Sequence, residues 1–431
     1  MSTVVVALIL LVVLVVFLAV GTWIPVAIAV TSWVGLVVFS DHDALVNLAN
    51  AWWSSSASYT LASLPLFVWM GEILFRTKLS EQMFSGLSPW LNWLPGRLMH
   101  VNILGCGIFG SVSGSSAATC ATIAKSALPE LTRRGYDERM TLGSLATAGT
   151  LGILIPPSIV MVVYAAVTEV SVGRMFMAGI IPGLLLASML AFAVWWRAGK
   201  LTLAKAEKAS LREVLVAFRD SFWGLALLAI IMGGIYGGVF TPTEAAAVAA
   251  VYATVVAVFV YRDIRVSRLP EVLLDAAKTT VMLMFIIANA LLFAHVLTTL
   301  RIPQSIAAQI VAAGMAPWVF LLVVNIILLV AGNFMEPTGI ILILAPIFFP
   351  IANELGIDPI HLGIIMVVNM EIGMITPPVG LNLFVTSGIT GMSLVQVTRA
   401  ALPWLAILLL FLLIVTYVPW VSLVLPQLVF D

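Results

Sequence analysis

Two short segments of an otherwise apolar chain combine glycine with oxygen-bearing side chains. They are GSVSGSS at 110–116 and GNFMEPTG at 332–339. A hard cation such as sodium prefers hydroxyl, carbonyl and carboxylate oxygens to nitrogen or sulfur. Glycine also lets a turn adopt conformations that free backbone carbonyls. Both segments are therefore predicted to bind a hard cation such as sodium.

Each polar segment is followed by a helical pattern that breaks before a Pro-Pro pair, over Thr147–Pro157 in the first case and Gly373–Pro378 in the second. A broken helix supplies carbonyl oxygens that an intact helix would use internally. We expect each break to face the preceding polar segment. The predicted sodium ligands are Ser111, Ser113, Ser115, Ser116, Thr147, Gly149, Gly152, Gly332, Asn333, Glu336, Thr338, Gly373 and Thr376.

The same segments expose the amino ends of half-helices. Free amides and the positive end of the helix dipole suit an anionic group, typically a carboxylate. Asn382, five residues beyond Pro377, could hydrogen-bond a substrate from the continuation of its helix. The predicted substrate contacts are Ser116, Thr119, Pro156, Pro157, Pro377, Pro378 and Asn382.

Structural roles compete with these assignments. Ser, Thr and Gly often serve close packing in membrane helices. Glu336 is the only acid in either polar segment. It either has a functional role or stabilises the turn through a hydrogen bond. Glu371 lies nearer a helix end, where packing or capping is expected, and His295 is expected to be structural. Glu244 follows Thr241 and Pro242, which predicts a helix start.

The surrounding elements must be membrane helices. The chain is 62% hydrophobic and 9% charged, with mean hydropathy +1.15, which leaves too little polar surface for a soluble globule. Apolar stretches of spanning length predict ten spans at 4–20, 22–39, 58–75, 140–166, 175–196, 221–238, 243–261, 277–299, 361–386 and 400–418. The two polar segments interrupt 97–127 and 317–352, which predicts re-entrant hairpins, because irregular backbone at membrane depth requires satisfied amides.

An internal repeat relates the two halves. A shift of 221 residues superposes Gly152 on Gly373, Pro156 on Pro377 and Pro157 on Pro378. The pattern predicts two structural copies. The first copy is 1–210, with scaffold helices, hairpin 97–127 and broken helix 140–166. The second is 211–431, with scaffold helices, hairpin 317–352 and broken helix 361–386, and residues 197–220 form the predicted polar linker.

Charge predicts the orientation of the copies. Between residues 125 and 139 the first copy carries Lys125, Arg133, Arg134 and Arg139, whereas the equivalent 346–360 has no Lys or Arg. By the positive-inside rule these loops lie on opposite sides of the membrane. The expected fold is thus an all-α polytopic membrane protein with an inverted repeat.

These motifs resemble the large membrane subunit of tripartite ATP-independent periplasmic (TRAP) transporters. The resemblance covers nearly the whole chain and is carried by GSVSGSSAATCATI, LGILIPPS, GVFTPTEAAAVAA, GNFMEPTGIILILAPI and GMITPPVGLNLFV. It implies an elevator-type transporter of the bacterial inner membrane, driven by a sodium gradient. It also implies two partners, a separate small four-helix membrane subunit and a periplasmic binding protein that delivers an organic acid, such as a C4-dicarboxylate or sialic acid.

Three alternative functions compete with this interpretation. A stand-alone sodium/carboxylate symporter of similar architecture would need no binding protein. A passive channel could also contain re-entrant tips. An intramembrane enzyme is disfavoured, because the chain has no HExxH, no GxSxG and no paired aspartates at catalytic spacing.

Overall fold

The fold is all-helical in the computed structural model, which describes residues 3–40, 43–91, 93–198 and 210–430. Within those ranges the structure contains no strand, and seven helices are long and apolar enough to cross a membrane. Shorter apolar helices of 10–17 residues accompany them. This agrees with the predicted polytopic membrane protein.

The helices that precede residue 199 are α1 Thr3–Ala19, α2 Ile24–Phe39, α3 Ala44–Ser56, α4 Ser63–Phe75, α5 Leu79–Leu91, α6 Leu98–Ser113, α7 Ser116–Arg133, α8 Glu138–Ala148, α9 Leu151–Leu154, α10 Ile159–Thr168 and α11 Val172–Ala198. Helices α6 and α7 form the first helix–turn–helix hairpin. Helices α8, α9 and α10 are the pieces of the first broken helix.

The helices that follow residue 209 are α12 Leu211–Tyr236, α13 Pro242–Val255, α14 Leu269–Thr299, α15 Ile302–Ala312, α16 Pro317–Gly332, α17 Pro337–Glu354, α18 Pro359–Gly373, α19 Leu381–Thr390, α20 Leu394–Tyr417 and α21 Trp420–Phe430. A π-helical turn, Val256–Val260, extends α13, and a 3-10 turn, Val266–Arg268, precedes α14. Helices α16 and α17 form the second hairpin, and α18 and α19 the second broken helix.

Helix boundaries follow the 221-residue shift. The first residues of α7 and α17 are 221 positions apart, and so are their last residues. The first residues of α8 and α18 are also 221 positions apart. The pair α3 and α4 occupies the register of the single helix α14. The chain therefore forms a similar order of elements twice, and its division at residue 210 stays a prediction.

Packing between the copies is reciprocal. Helix α2 packs on α14 while its counterpart α13 packs on α4, and α7 packs on α19 while α17 packs on α10. Within each copy the first hairpin arm lies on the broken helix, as α6 on α9 and α16 on α18. Such crosswise contacts are what two copies related by a pseudo-two-fold axis would make. The inverted orientation of the copies stays a prediction.

The broken helices lie at the centre of the molecule. Every residue of α8 from Met140 to Ala148 is buried, and so is every residue of α18 from Ile360 to Gly373. In contrast, α1 exposes Leu8, Leu11 and other large apolar side chains. A helix that is apolar and exposed suits lipid contact, whereas one buried all round belongs to a core. The core is thus built around the two breaks.

Several helix and linker boundaries predicted from the sequence were wrong. Residues 211–220 belong to α12, not to the linker predicted at 197–220, because Ser210 and Glu213 form a capping box that starts the helix early. Residues 199–209 of that linker lie outside the described residues. Helices α3 and α21 were not predicted. Helix α3 starts at an N-cap, Asp43, whose carboxylate accepts from the amides of Leu45 and Val46.

Candidate functional site

The first hairpin tip is a buried cluster of oxygen atoms. Helix α6 ends at Ser113, Gly114 adopts a left-handed conformation with φ 63°, and Ser115 caps α7 by accepting from the amide of Ala118. The hydroxyl oxygens of Ser113 and Thr119 lie 2.8 Å apart, and Thr119 donates to the Ser115 carbonyl at 2.7 Å. The turn thus gathers hydroxyl and carbonyl oxygens in one small volume.

As predicted, this tip lies against the first helix break. A Cβ atom on Gly110 would lie 2.4 Å from the Cα of Gly152, a distance that real side chains do not tolerate. A Cβ on Gly152 would in turn lie 2.9 Å from the Thr119 hydroxyl oxygen. The Ser116 hydroxyl donates to the Gly149 carbonyl at 3.1 Å. Two glycines are therefore required for the backbone of the break to reach the oxygens of the tip.

Asn382 joins this cluster from the other half of the chain. Its side-chain amide donates to the Ser116 hydroxyl at 2.9 Å and to the Ala146 carbonyl at 3.0 Å. Its own carbonyl oxygen, Oδ1, is buried without a hydrogen-bond partner, and so is the hydroxyl oxygen of Thr147. A buried polar atom without a partner is costly. The Asn382 oxygen, on a side chain bonded to Ser116 of the tip, therefore has free capacity to coordinate a cation.

The second tip and break are also in close contact, since a Cβ on Gly373 would lie 2.7 Å from the Gly332 carbonyl oxygen. A Cβ on Gly332 would lie 3.2 Å from the Cα of Gly373, and the Val379 amide donates to the Asn333 carbonyl at 3.2 Å. The Oδ1 atom of Asn333 is buried without a partner. Thr338 donates to the Glu336 carboxylate at 2.7 Å, and Glu336 is exposed. The charged group of this tip therefore faces outward.

The amino ends of the four half-helices differ between the copies. Ser115 caps α7 and Ser158 caps α10 with their side-chain oxygens. Neither Glu336, which precedes α17, nor Gly380, which precedes α19, makes a side-chain cap. Helix amides without a cap can receive an anionic ligand. The second copy thus has two ends without a side-chain cap. At α19 the backbone amide of Asn382 donates to the Met374 carbonyl at 3.0 Å, and the Val379–Asn333 bond holds the tip beside the break.

The structure brings together most of the predicted site residues in two groups. The first group contains Ser113, Ser115, Ser116, Thr119, Gly149, Gly152 and Asn382. Thr147 is buried on α8, two residues before Gly149, and its sodium role stays a prediction. The second contains Gly332, Asn333, Gly373, Glu336 and Thr338.

The other predicted site residues, four prolines and two residues with hydroxyl groups, are not assigned to either group. Both Pro-Pro bonds are cis, but Pro156 and Pro157 are buried whereas Pro377 and Pro378 are exposed. The hydroxyls of Ser111 and Thr376 donate to carbonyls of their own helices, those of Ile108 and Ile372. Their sodium and substrate roles stay predictions.

Sequence reasoning missed a set of buried polar groups near the breaks. Both carboxylate oxygens of Glu371 are buried without a partner, so the capping role expected for it is wrong. Asn369 donates to Asn325 at 2.8 Å, and Asn325 donates to Thr416 at 2.9 Å. These residues connect α18 with α16 and α20. The sequence does show polar residues of these types within apolar helices, where they are uncommon. It does not show which face of the helix they occupy.

The all-helical fold with two hairpins whose glycine-rich tips lie against broken helices defines a multi-pass membrane transporter. The family model described as "Tripartite ATP-independent periplasmic transporter, DctM component" matches residues 11–421. The chain therefore belongs to this family of the bacterial inner membrane, and it is a transporter permease subunit, not an enzyme.

Relatives and a solved structure agree with that assignment. The chain is 57% identical over 392 residues to the C4-dicarboxylate TRAP transporter large permease protein DctM of Pseudomonas aeruginosa, covering 91% of this chain and 92% of the relative. It is 48% identical over 430 residues to the protein of that name in Vibrio cholerae, covering 95% of each. The crystal structure of the Alcanivorax borkumensis YdaH transporter, at 15% identity, superposes with a TM-score of 0.62 over 90% of each chain, which shows similarity of fold.

Proposed function

We propose that this chain carries C4-dicarboxylates into the cell across the inner membrane, coupled to sodium and by an elevator movement. Two relatives at 57% and 48% identity bear the name of C4-dicarboxylate permeases. A C4-dicarboxylate is an organic acid, the substrate class expected from the half-helix ends. The family description names a tripartite system, so a small membrane subunit and a periplasmic binding protein complete the transporter.

Sodium coupling rests on one observation, an unpartnered buried oxygen next to the first tip. Asn382 Oδ1 has no hydrogen-bond partner, and the amide nitrogen of the same side chain donates to Ser116 of the tip. The tip also contains a hydroxyl pair, Ser113 and Thr119. Sodium replaces its hydration shell with neutral oxygens of this kind. Among the described residues no group of three His, Cys, Asp or Glu could hold a transition metal. A monovalent hard cation therefore fits this donor set.

The substrate carboxylates are assigned to the second copy. Helices α17 and α19 present amino ends without side-chain caps, and the intervening segment, Pro377 to Val379, is exposed. Two such ends in one neighbourhood suit an anionic substrate group. Asn382 lies on α19 and bonds to Ser116 of the first tip. Sodium binding at the first tip would thus fix the helix whose amino end receives the substrate.

The moving body in this proposal comprises both hairpins and both broken helices. These elements contact each other across the two copies, as α7 with α19 and α17 with α10. Substrate and sodium would therefore travel together. Helices α2, α4, α13 and α14, which pack on each other, would form part of the scaffold.

The test is uptake into proteoliposomes that contain this chain, its small subunit and its binding protein. We expect an inward sodium gradient to drive C4-dicarboxylate accumulation. Ser113→Ala should raise the half-saturating sodium concentration about tenfold, since one ligand is lost. Ser126→Ala is the matched control, because its hydroxyl bonds the Thr122 carbonyl within the same hairpin, and it should change that concentration less than about twofold.

Each alternative has a distinct outcome. Uptake that proceeds equally without the binding protein would favour the stand-alone symporter. Equilibration that never exceeds the external concentration would indicate a channel. Equal sodium dependence in Ser113→Ala and Ser126→Ala would contradict the assignment of sodium to the first tip.

A further inference from the structure

A second group of functional side chains lies at one end of α8, α11 and α20, away from both hairpin tips. These helices enclose a cavity of about 290 Å³ lined by Asp137, Arg139, Met140, Arg197, Arg399, Ala400 and Pro403. Arg139 comes from the first turn of α8, Arg197 from the last turn of α11 and Arg399 from the second turn of α20. Three helices therefore direct one guanidinium each to the same cavity.

The positive charge of this cavity is not neutralised within the described part of the chain. Arg139 and Arg399 form no ion pair there, in contrast to Arg133 and Arg134, which both pair with Glu130. The cavity's one acid, Asp137, is engaged as the N-cap of α8, where its carboxylate accepts from the Met140 amide at 2.7 Å. Three arginines facing one capped aspartate leave a net positive site, which favours an anion.

The position of the cavity indicates which kind of anion it binds. Trp195 and Trp196, next to Arg197, are 49% and 63% exposed on α11, and Phe192 stacks on Trp195. Exposed tryptophan at the end of an apolar helix is typical of the headgroup level of a bilayer. The cavity also has apolar walls, Met140, Ala400 and Pro403. Its lining thus combines guanidinium groups with apolar side chains, as a lipid headgroup site requires.

Arg197 is held in place by packing. Its guanidinium carbon lies 5.5 Å from the ring centroid of Trp404, which is 1% exposed on α20. A guanidinium over an aromatic face keeps its N–H groups free at the edge for an oxyanion. Helix α20 also packs closely on α8, where a Cβ on Gly143 would lie 2.3 Å from the Ala400 carbonyl. The three arginines therefore sit on a rigid contact between the two copies.

We propose that this cavity binds the phosphate headgroup of an anionic phospholipid. Arg139 and Arg399 contact the phosphate oxygens, Arg197 positions the headgroup against Trp404, and the acyl chains lie along the apolar surface of α11 and α20. Basic pockets between membrane helices recognise acidic lipid headgroups in this way. The lipid bridges α8 of the first copy and α20 of the second, and this role is independent of the transported substrate.

The test compares two double variants of equal charge in the purified full-length chain. Arg139→Gln/Arg399→Gln removes the two cavity arginines without an ion pair, and Arg133→Gln/Arg134→Gln removes two arginines nearby but outside the cavity. Native mass spectrometry measures retained phosphatidylglycerol and cardiolipin, with phosphatidylcholine as the neutral control, and a thermal melt measures stabilisation by each lipid. We expect the cavity variant to bind acidic lipid roughly 25-fold more weakly, about fivefold for each arginine, and the control to bind like the parent.

Other results would overturn the proposal. Equal loss in both double variants would mean a diffuse surface charge effect. Stabilisation by inorganic phosphate equal to that by acidic lipid would assign the cavity to free phosphate. If the double variant does not fold, Arg399→Lys replaces it. Lysine keeps the charge but not the bidentate geometry, so an affinity between those of the parent and Arg399→Gln is expected, and unchanged binding in both single variants would refute the site.

Discussion

The two broken segments of this protein share their architecture but differ in exposure. The first tip is buried, its half-helices are capped by Ser115 and Ser158, and its break lies under protein at Pro156 and Pro157. The second tip exposes Phe334 and Glu336, and its break exposes Pro377. A transporter that alternates access needs one side closed while the other is open. Under the proposed elevator movement, a difference of this kind between the copies is expected of any single state.

Asn382 explains how the two segments can be coupled. It belongs to the exposed, second break, yet its side chain bonds to Ser116 and to the Ala146 carbonyl in the buried, first group. A ligand that changes the first tip would thus act directly on α19. A shared contact of this kind provides a physical route for coupling between two sites.

The largest expected effect concerns the orientation of the copies. Thr132 and Asn353 are exposed, near the ends of α7 and α17, and are related by the 221-residue shift. We expect Thr132→Cys to react with a membrane-impermeant thiol reagent from the cytoplasm, and Asn353→Cys from the periplasm. Cys106 and Cys120 are buried, so the parent chain is the unreactive background. Labelling of both positions from one side would refute the inverted repeat.

The second effect compares the two glycine contacts. Gly110→Ala places a methyl group 2.4 Å from the Cα of Gly152, whereas Gly332→Ala places it 3.2 Å from Gly373. Overpacking against backbone costs about 1–3 kcal/mol and sometimes more, so Gly110→Ala should lower both the melting temperature and uptake more than Gly332→Ala. Gly233→Ala on α12, with nothing within 4 Å, should have neither effect. Equal effects at 110 and 332 would contradict the difference in distance between these two substitutions.

The third effect tests the bridge between the segments. Asn382→Ala removes the bonds to Ser116 and Ala146 and leaves the buried Ser116 hydroxyl without its donor. We expect uptake to fall by at least about tenfold, with a cost of about 1–3 kcal/mol for the unpaired group. The control is Asn353→Ala, an exposed position at the end of α17. Normal sodium affinity and uptake in Asn382→Ala would remove Asn382 from the mechanism.

The smallest effect is expected at the second break. The Thr376 hydroxyl donates to the Ile372 carbonyl of its own helix at 2.6 Å. Because this hydroxyl oxygen is already engaged in a hydrogen bond, it can contribute only weakly to sodium binding. Thr376→Ala should therefore raise the half-saturating sodium concentration about threefold or less. A rise larger than that of Ser113→Ala would place the dominant sodium site at the exposed segment and reverse the comparison.

Much of the fold could be predicted from the chain because apolar length and Gly/Pro spacing are local properties. The hairpins and breaks occur close to where the polar segments and Pro-Pro pairs placed them, and family membership agreed with the motifs. Helix α3 was missed because its sequence, ALVNLANAWWSSS, is only partly apolar. The start of α12 was misplaced because a capping box outweighed the charge of its first turns.

The amino-acid sequence by itself determined the membrane class, the duplicated order of elements and the residue types available for ions and carboxylates. Only the tertiary structure decided that the first tip is buried, that Asn382 reaches across to Ser116, and that Glu371 is enclosed without a partner. It also brought Arg139, Arg197 and Arg399 to one cavity from distant parts of the chain. Pattern and propensity act over a few turns, whereas the face that a side chain occupies, and what it meets there, depend on how helices from the two copies pack.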